Sequence, residues 1–259
     1  MSRRTVKRII YGVGYLIVFC AVVFLIYSYA VKPAPSCFDG LKNGNETGID
    51  CDGGCVPCSI KSLIPLQTSW APKYFISGDK AIVAVEIKNP NLNHGADYFD
   101  YEISLLDAGG GVIKKTTGSS YVYAGEIKHI VEILPISGQE STEINKVNAT
   151  FSNADWKPKE EFPKPEIQPR SLTAELKQVP PTISGLAANA SAFPLSKATV
   201  FGFIYNNFGS SFASISSVSK TEIENIPAFG EKPFKLTFPR DLNPNSISGD
   251  YKIYIEARQ

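Results

Sequence analysis

Histidine is almost absent from this chain: two in 259 residues, beside one methionine, two tryptophans and five cysteines. Acid–base catalysis and metal binding draw heavily on imidazole and thiolate, so little material for either is present. No surplus of positive charge exists, since 26 Lys and Arg face 25 Asp and Glu. A nucleic-acid binder needs such a surplus to neutralise phosphates, so none is expected as a partner. There is no Gly-x-Ser-x-Gly turn, and Gly109-Gly110-Gly111 lacks the Lys-Ser/Thr and helix that complete a phosphate cradle. His94 falls in a polar loop and His129 within an apolar strand, with no nucleophile placed to form a triad. The chain is not expected to be an enzyme. Apolar residues at 43% and charged ones at 20% exclude bulk disorder.

One long stretch has no charge at all. Ile9 to Val31 is uncharged, with Arg3, Arg4, Lys7 and Arg8 before it and Lys32 after. As a helix it would extend roughly 35 Å, enough for a hydrocarbon core of about 30 Å. A cleaved signal peptide has a shorter apolar centre of roughly 7–15 residues. Tyr27 and Tyr29 suit the headgroup boundary. The expectation is a cytoplasmic tail over 1–8, a transmembrane helix over 9–31, and everything beyond outside the cytoplasm of a plasma membrane. The basic cluster before the helix sets that orientation. Cys20, in mid-span, reads as a small apolar residue.

The other four cysteines, Cys37, Cys51, Cys55 and Cys58, are crowded into a glycine-rich stretch, and none follows Cys58. With few apolar side chains nearby, crosslinks must supply the order. Two disulfides are expected, with all three pairings open. A zinc site would favour paired Cys-x-x-Cys knuckles. A thioredoxin-like use of Cys55-Val-Pro-Cys58 would need a strand before it and a helix after it. Asp39, Asn43, Asp50 and Asp52 bring oxygen donors into the same loop and are candidate calcium ligands, although the order is not that of an EF-hand. The simpler reading is a solvated polar loop with no cofactor. Segment 32–68 is expected to be a disulfide-stapled stalk.

Beyond it the pattern is β throughout. Residues 80–88 alternate like a strand with one buried face. Further strands are expected at 98–106, 112–117, 121–123, 127–134 and 144–151. A second series follows at 172–178, 183–189, 199–205, 212–218, 221–226, 234–238 and 251–257. Short strands at about ten-residue spacing, without helical periodicity, predict antiparallel sandwiches. Proline and charge concentrate over 157–170, which reads as an extended linker between a sandwich at 69–156 and another at 171–259. A turn at Asn206-Asn207-Phe208-Gly209 is placed like the Gly-rich turn of the first half. Asn89 with Gly125, and Asn189 with Gly230, are offset in a way that fits a degenerate duplication. Tyr98-Phe99-Asp100-Tyr101 is a candidate carbohydrate or peptide platform, or simple core packing. Asn45, Asn148 and Asn189 each open an Asn-x-Ser/Thr triplet.

Three stretches carry resemblances. Cys37, Asp39-Gly40, Asn43-Gly44, Glu46-Thr47, Asp50-Cys51, Gly53-Gly54, Cys55 and Cys58 resemble a cysteine motif recurrent in surface and secreted proteins, with Asp52 as an insertion. Lys88-Asn89-Pro90-Asn91 at a strand end resembles the NPN signature of the LEA14/WHy type. GFIYNN at 202–207, followed by AFGEKPFKLTF at 228–238, is similar to the FxLYD domain, with Ile204 and Asn206 departing from its Phe-x-Leu-Tyr-Asp. These resemblances imply an all-β protein: two tandem antiparallel immunoglobulin-like β-sandwiches behind one N-terminal transmembrane helix. They imply structure or interaction and bring no catalytic residues. The expected role is a non-catalytic surface protein with an adhesive or scaffolding function, a protein or cell-envelope partner, and the membrane held by 9–31. A small-ligand or calcium module is the alternative.

Overall fold

The computed structural model describes residues 3–28, 35–206, 214–240, 242 and 247–258. The chain divides into two compact units, Met1–Leu63 and Ile64–Gln259. In the first, α1 (Arg3–Ile26) has no buried residue and is long and apolar enough to cross a membrane. It fits a single-pass anchor or a signal sequence. Residues 29–31 of the expected span lie outside the described residues. The same unit holds the cysteine loop, which ends in the short α2 (Cys58–Lys61).

The second unit is built of antiparallel sheets. In chain order it runs β1 (Gln67–Thr68), β2 (Lys73–Ser77), β3 (Lys80–Lys88), β4 (His94–Leu106), β5 (Val112–Val122), β6 (Ile127–Pro135), α3 (Gly138–Glu143) and β7 (Lys146–Pro158). It continues with β8 (Ile167–Glu175), β9 (Thr182–Asn189), β10 (Leu195–Asn206), β11 (Ile215–Ile226), β12 (Glu231–Thr237) and β13 (Ile247–Arg258). In the first sandwich β3 pairs with β6 on one side and with β1 and β2 on the other, while β5–β4–β7 forms the facing sheet. The second sandwich repeats this plan as β12–β9–β8 and β11–β10–β13.

Each sandwich closes on its own apolar core. Val83, Val85, Ile87, Phe99, Ile103 and Leu105 fill the first, and Ile183, Leu195, Val200, Ile204, Ile226 and Leu236 the second. Full burial of such a side chain stabilises by about 1.5–3 kcal/mol. A third cluster joins the two bodies. Ile82, Ala84 and Val131 from the β3–β6 sheet pack on Phe201, Phe203, Tyr205, Ile215 and Val218 from the β10–β11 sheet. The four sheets therefore stack in series, with apolar contact at every internal boundary.

This third boundary alters β3. The sequence implies one buried face, but Ala81 through Val85 are all buried. Ala81, Val83 and Val85 enter the first core and Ile82 and Ala84 face the second sandwich. An alternating strand covered on both faces becomes a continuous apolar run.

Two other expectations change for a shared reason. The strands expected at 112–117 and 121–123 are one strand, β5, and those at 212–218 and 221–226 are one strand, β11, which starts at Ile215; residues 212–213 of that expectation lie outside the described residues. Gly118-Ser119-Ser120 has turn composition, yet Gly118 pairs with Tyr101 across the sheet. A Cβ at Gly118 would meet the Tyr101 ring. Glycine there serves close approach rather than chain reversal. Of the 157–170 segment, Lys157 and Pro158 close β7 and 167–170 open β8. Between them Phe162 stacks on Tyr123 at 4.4 Å and Lys164 pairs with Glu126 at 2.6 Å. Residues 207–209 of the expected turn lie outside the described residues.

Candidate functional site

In the cysteine loop the disulfides are Cys37–Cys55 and Cys51–Cys58, so the two bridges interleave. The four candidate calcium ligands sit around them and serve the loop itself. Asp39 Oδ1 accepts the Leu41 N–H at 2.9 Å and its Oδ2 accepts from Asn43 Nδ2 at 2.8 Å. These bonds, the Asn43 amide foremost, hold the Asp39 carboxyl below its usual range. Asp50 Oδ1 accepts the N–H groups of Asp39 and Gly40 at 3.1 and 3.0 Å. Asp52 accepts from the Thr47 hydroxyl and from the Cys58 N–H, which lower its pKa in that order. Among the described residues, no group of three or more His, Cys, Asp or Glu side chains is placed to hold a metal ion together.

The more unusual chemistry lies where the sandwiches meet. His129, on β6, is 2% exposed. Its Nδ1 stands 3.3 Å from Glu256 Oε1, on β13, and its Nε2 stands 3.5 Å from Glu86 Oε2, on β3. Burial alone would lower the imidazole pKa, but the two carboxylates outweigh it and the net direction is upward. Glu256 is opposed by burial in the same way, yet Lys128 and His129 hold its pKa below the usual value. Lys128 Nζ reaches Glu256 Oε2 at 2.7 Å, both side chains being nearly sealed. The same ammonium lies 3.7 Å from the centre of the Tyr121 ring, close enough for cation–π attraction. Burial, then the charges of Glu256 and Glu126, push the Tyr121 phenol upward.

Among the described residues β6 pairs with β3 alone and is an edge strand. Its outer backbone groups would be an open template, and the second sandwich closes it with side chains. Glu256 Oε1 accepts the His129 N–H at 2.8 Å, and Lys220 Nζ donates to the Val131 carbonyl at 2.5 Å. Arg258 binds Asp97 at 2.5 Å, and the Tyr123 hydroxyl donates to the Ala257 carbonyl at 3.0 Å. A cleft of about 450 Å³ opens beside this network between the two bodies, with Tyr98, Ser119, Ser120 and Tyr121 on one side and Lys197, Thr199, Glu222 and Arg258 on the other.

In sequence His129 is an ordinary strand residue, and Glu86, Lys128 and Glu256 belong to no motif. A signal is present for two of the strands: Glu86 falls in the apolar run AIVAVEI of β3, and Lys128 and His129 fall among Ile127, Ile130 and Val131 of β6, whereas Glu256 lies in a β13 that carries other charges. The other histidine, His94, is half-buried and contributes its carbonyl, which accepts from Asn89 Nδ2 at 2.7 Å. Of the candidate platform, Phe99 is sealed in the core and Tyr101 donates to Glu132 at 2.7 Å, which leaves Tyr98 at the cleft.

No family model matches the chain, and no curated protein matches it. Among solved structures, the transglutaminase of red sea bream is similar over 77% of this chain and 30% of its own length. Identity is 16% and the TM-score 0.25, a level that carries no argument about fold or function.

Proposed function

We propose that this is a non-catalytic, membrane-anchored surface protein that presents its paired sandwiches for adhesion or scaffolding outside the membrane. The carrying observation is the boundary between the sandwiches. An apolar cluster and a buried Lys128–Glu256–His129–Glu86 network join them. Two bodies fixed in this way present a surface of constant geometry, and preorganisation reduces the entropy lost on binding. The apolar helix supports an anchor, and two disulfides suit an oxidising compartment. The resemblances to the LEA14/WHy and FxLYD types agree with this role.

The test uses an impermeant amine-reactive biotin on intact cells. Lysines of the 64–259 unit should be labelled and Lys7 should not; label on Lys7 alone would reverse the topology. Purified chain in lipid nanodiscs should then be retained by envelope fragments of the same cells. Absence of retention would remove the adhesive reading.

A further inference from the structure

We propose that the cleft between the sandwiches binds a neutral, hydroxyl-rich saccharide; this rests on the surface-protein reading above and names the ligand class. Its volume of about 450 Å³ falls within the usual range for small-ligand sites, about 300–1,000 Å³. A second hollow of about 210 Å³ shares Ser119, Ser120, Tyr121 and Glu256 with it and reaches His129. The floor is built rather than incidental: Glu256, which lines both hollows, is only 9% exposed and is locked at 2.7 Å to Lys128, which lines the second and is 5% exposed.

Joining the sandwiches does not require this network. Buried ion pairs are often no more stabilising than apolar packing of the same volume, and the adjacent packing of Ile82, Ala84 and Val131 on Phe201, Phe203 and Val218 shows that this chain can join the two bodies with apolar groups. Charged groups collected at a cleft floor are the arrangement expected of a site.

Charge selects the ligand class. Lys197 stands 2.8 Å from Glu222, Arg258 is paired with Asp97, and Lys128 with Glu256. Both cations that line the larger hollow, Lys197 and Arg258, have a carboxylate beside them, so neither a phosphate nor a metal ion finds a field of one sign there. Hydrogen-bonding capacity nevertheless remains high. An ammonium has three donors, a carboxylate about four acceptor sites, and the hydroxyls of Ser119, Ser120, Ser196 and Thr199 can do either. Sugar hydroxyls also donate and accept, so vicinal pairs can bridge neighbouring donors and acceptors. Tyr98, 43% exposed at the rim, offers an aromatic face for the C–H side of a pyranose, with its polar end tied to Asp100.

The test uses the full chain in lipid nanodiscs, free of alkyl-glycoside detergent, with cellotriose, chitotriose and mannotriose as probes. Saturation-transfer NMR should show saturable binding of at least one. Tyr98→Ala, at an exposed position that the fold tolerates, should weaken it at least tenfold. Ser120→Trp, which fills the cleft, should abolish it, and Leu92→Ser, outside the cleft, should leave it unchanged. The proposal is overturned if none of the three binds, if Tyr98→Ala binds as the parent does, or if only sulfated or sialylated glycans bind. Surface labelling and envelope retention would still stand in each of those cases, so the two readings fail separately.

Discussion

Asn89 and Asn189 make the same hydrogen bonds at the same corner of the two sandwiches. Asn89 Nδ2 donates to the carbonyls of His94 and Tyr123, at 2.7 and 2.9 Å, and its Oδ1 accepts the Asn91 N–H at 3.0 Å. Asn189 Nδ2 donates to the carbonyls of Phe193 and Pro227, both at 2.9 Å, and its Oδ1 accepts the Ser191 N–H at 2.9 Å. Their own N–H groups donate to Glu126 and Gly230, each at 2.9 Å. With the repeated strand order, this makes the unit a structural duplication. The Asn89-Pro90-Asn91 triplet is thereby explained as a corner that ties three chain segments.

Asn189→Asp should therefore be costly although nearly isosteric. It replaces two donors with an acceptor facing two carbonyls, at a cost of about 3 kcal/mol from unsatisfied buried groups. Urea denaturation should show a lower midpoint with an unchanged slope. The same burial bears on the Asn-x-Ser/Thr triplets: Asn189 is 3% exposed whereas Asn45 and Asn148 are exposed. Folded chain from a glycosylating host should carry no glycan at Asn189, which peptide mass mapping would settle.

The duplication also identifies a strained residue. The Gly125 N–H donates to the Asn91 carbonyl, and the Phe229 N–H donates to the Ser191 carbonyl, so Phe229 is the counterpart of Gly125. Both have positive φ, 65° and 53°, a region that costs a side chain about 1–2 kcal/mol. Phe229 is also 73% exposed, so it recovers little by burial. Phe229→Gly should stabilise by about 0.5–1 kcal/mol after the unfolded-state entropy of glycine is subtracted. Gly125→Phe should destabilise, because a Cβ there would meet Leu92 at 3.0 Å. Thermal unfolding of both exchanges reads the result, and a destabilised Phe229→Gly would mean that the exposed ring has contacts of its own.

Much of this architecture is legible in the sequence. The uncharged run of 9–31, the crowded cysteines and the alternating strands each follow from local chemistry. The offset of Asn89 and Asn189 points to the duplication, but matching Gly230 to Gly125 by glycine alone is one residue out of register, since the Asn89 and Asn189 N–H groups donate to Glu126 and Gly230. Ser137-Gly-Gln-Glu140 has the capping-box spacing and starts α3, a local signal legible in the sequence. The disulfide pairing and the inter-sandwich site were not legible for a deeper reason. Both depend on which segments meet in space. Glu86 and His129 look like ordinary exposed positions of half-buried strands until Glu256 is placed beside them.

The disulfide pairing has a direct consequence. Both bridges lie within the 1–63 unit, so reduction should loosen that loop and leave the 64–259 unit unaffected. A bridge of 18-residue separation, such as Cys37–Cys55, contributes about 3 kcal/mol by limiting the unfolded chain. Non-reducing digestion should yield linked peptides of 37 with 55 and 51 with 58. Calorimetry with and without reductant should show the same main transition. A main transition that falls sharply on reduction would mean that the loop braces the sandwiches.

The buried charges at the boundary predict how stability depends on pH. His129 is faced by Glu86, Glu256, Lys128 and the Tyr254 ring at 4.2 Å. Tyr254 and its neighbour Tyr205 are pushed upward from 10.0, chiefly by burial, and do not titrate near neutrality. The folded pKa of His129 lies above 6.5, so its contribution is complete below about pH 6.5 and is lost as the pH rises through the folded value. Glu256 is lowered from 4.5, so its contribution is present above about pH 4.5 and is lost as the pH falls through its folded value. The sandwiches should be joined most firmly between those limits, and Tm should fall on either side. His129→Phe should flatten the alkaline limb while keeping the acid one. Glu256→Gln leaves Lys128 and His129 buried without their carboxylate and should cost about 3–5 kcal/mol. A parent Tm that stays level from pH 5 to 9 would show that His129 titrates alike in the folded and unfolded chain, and one that rises from pH 5 to 7 would show that the folded imidazole is kept neutral; either result overturns the upward shift.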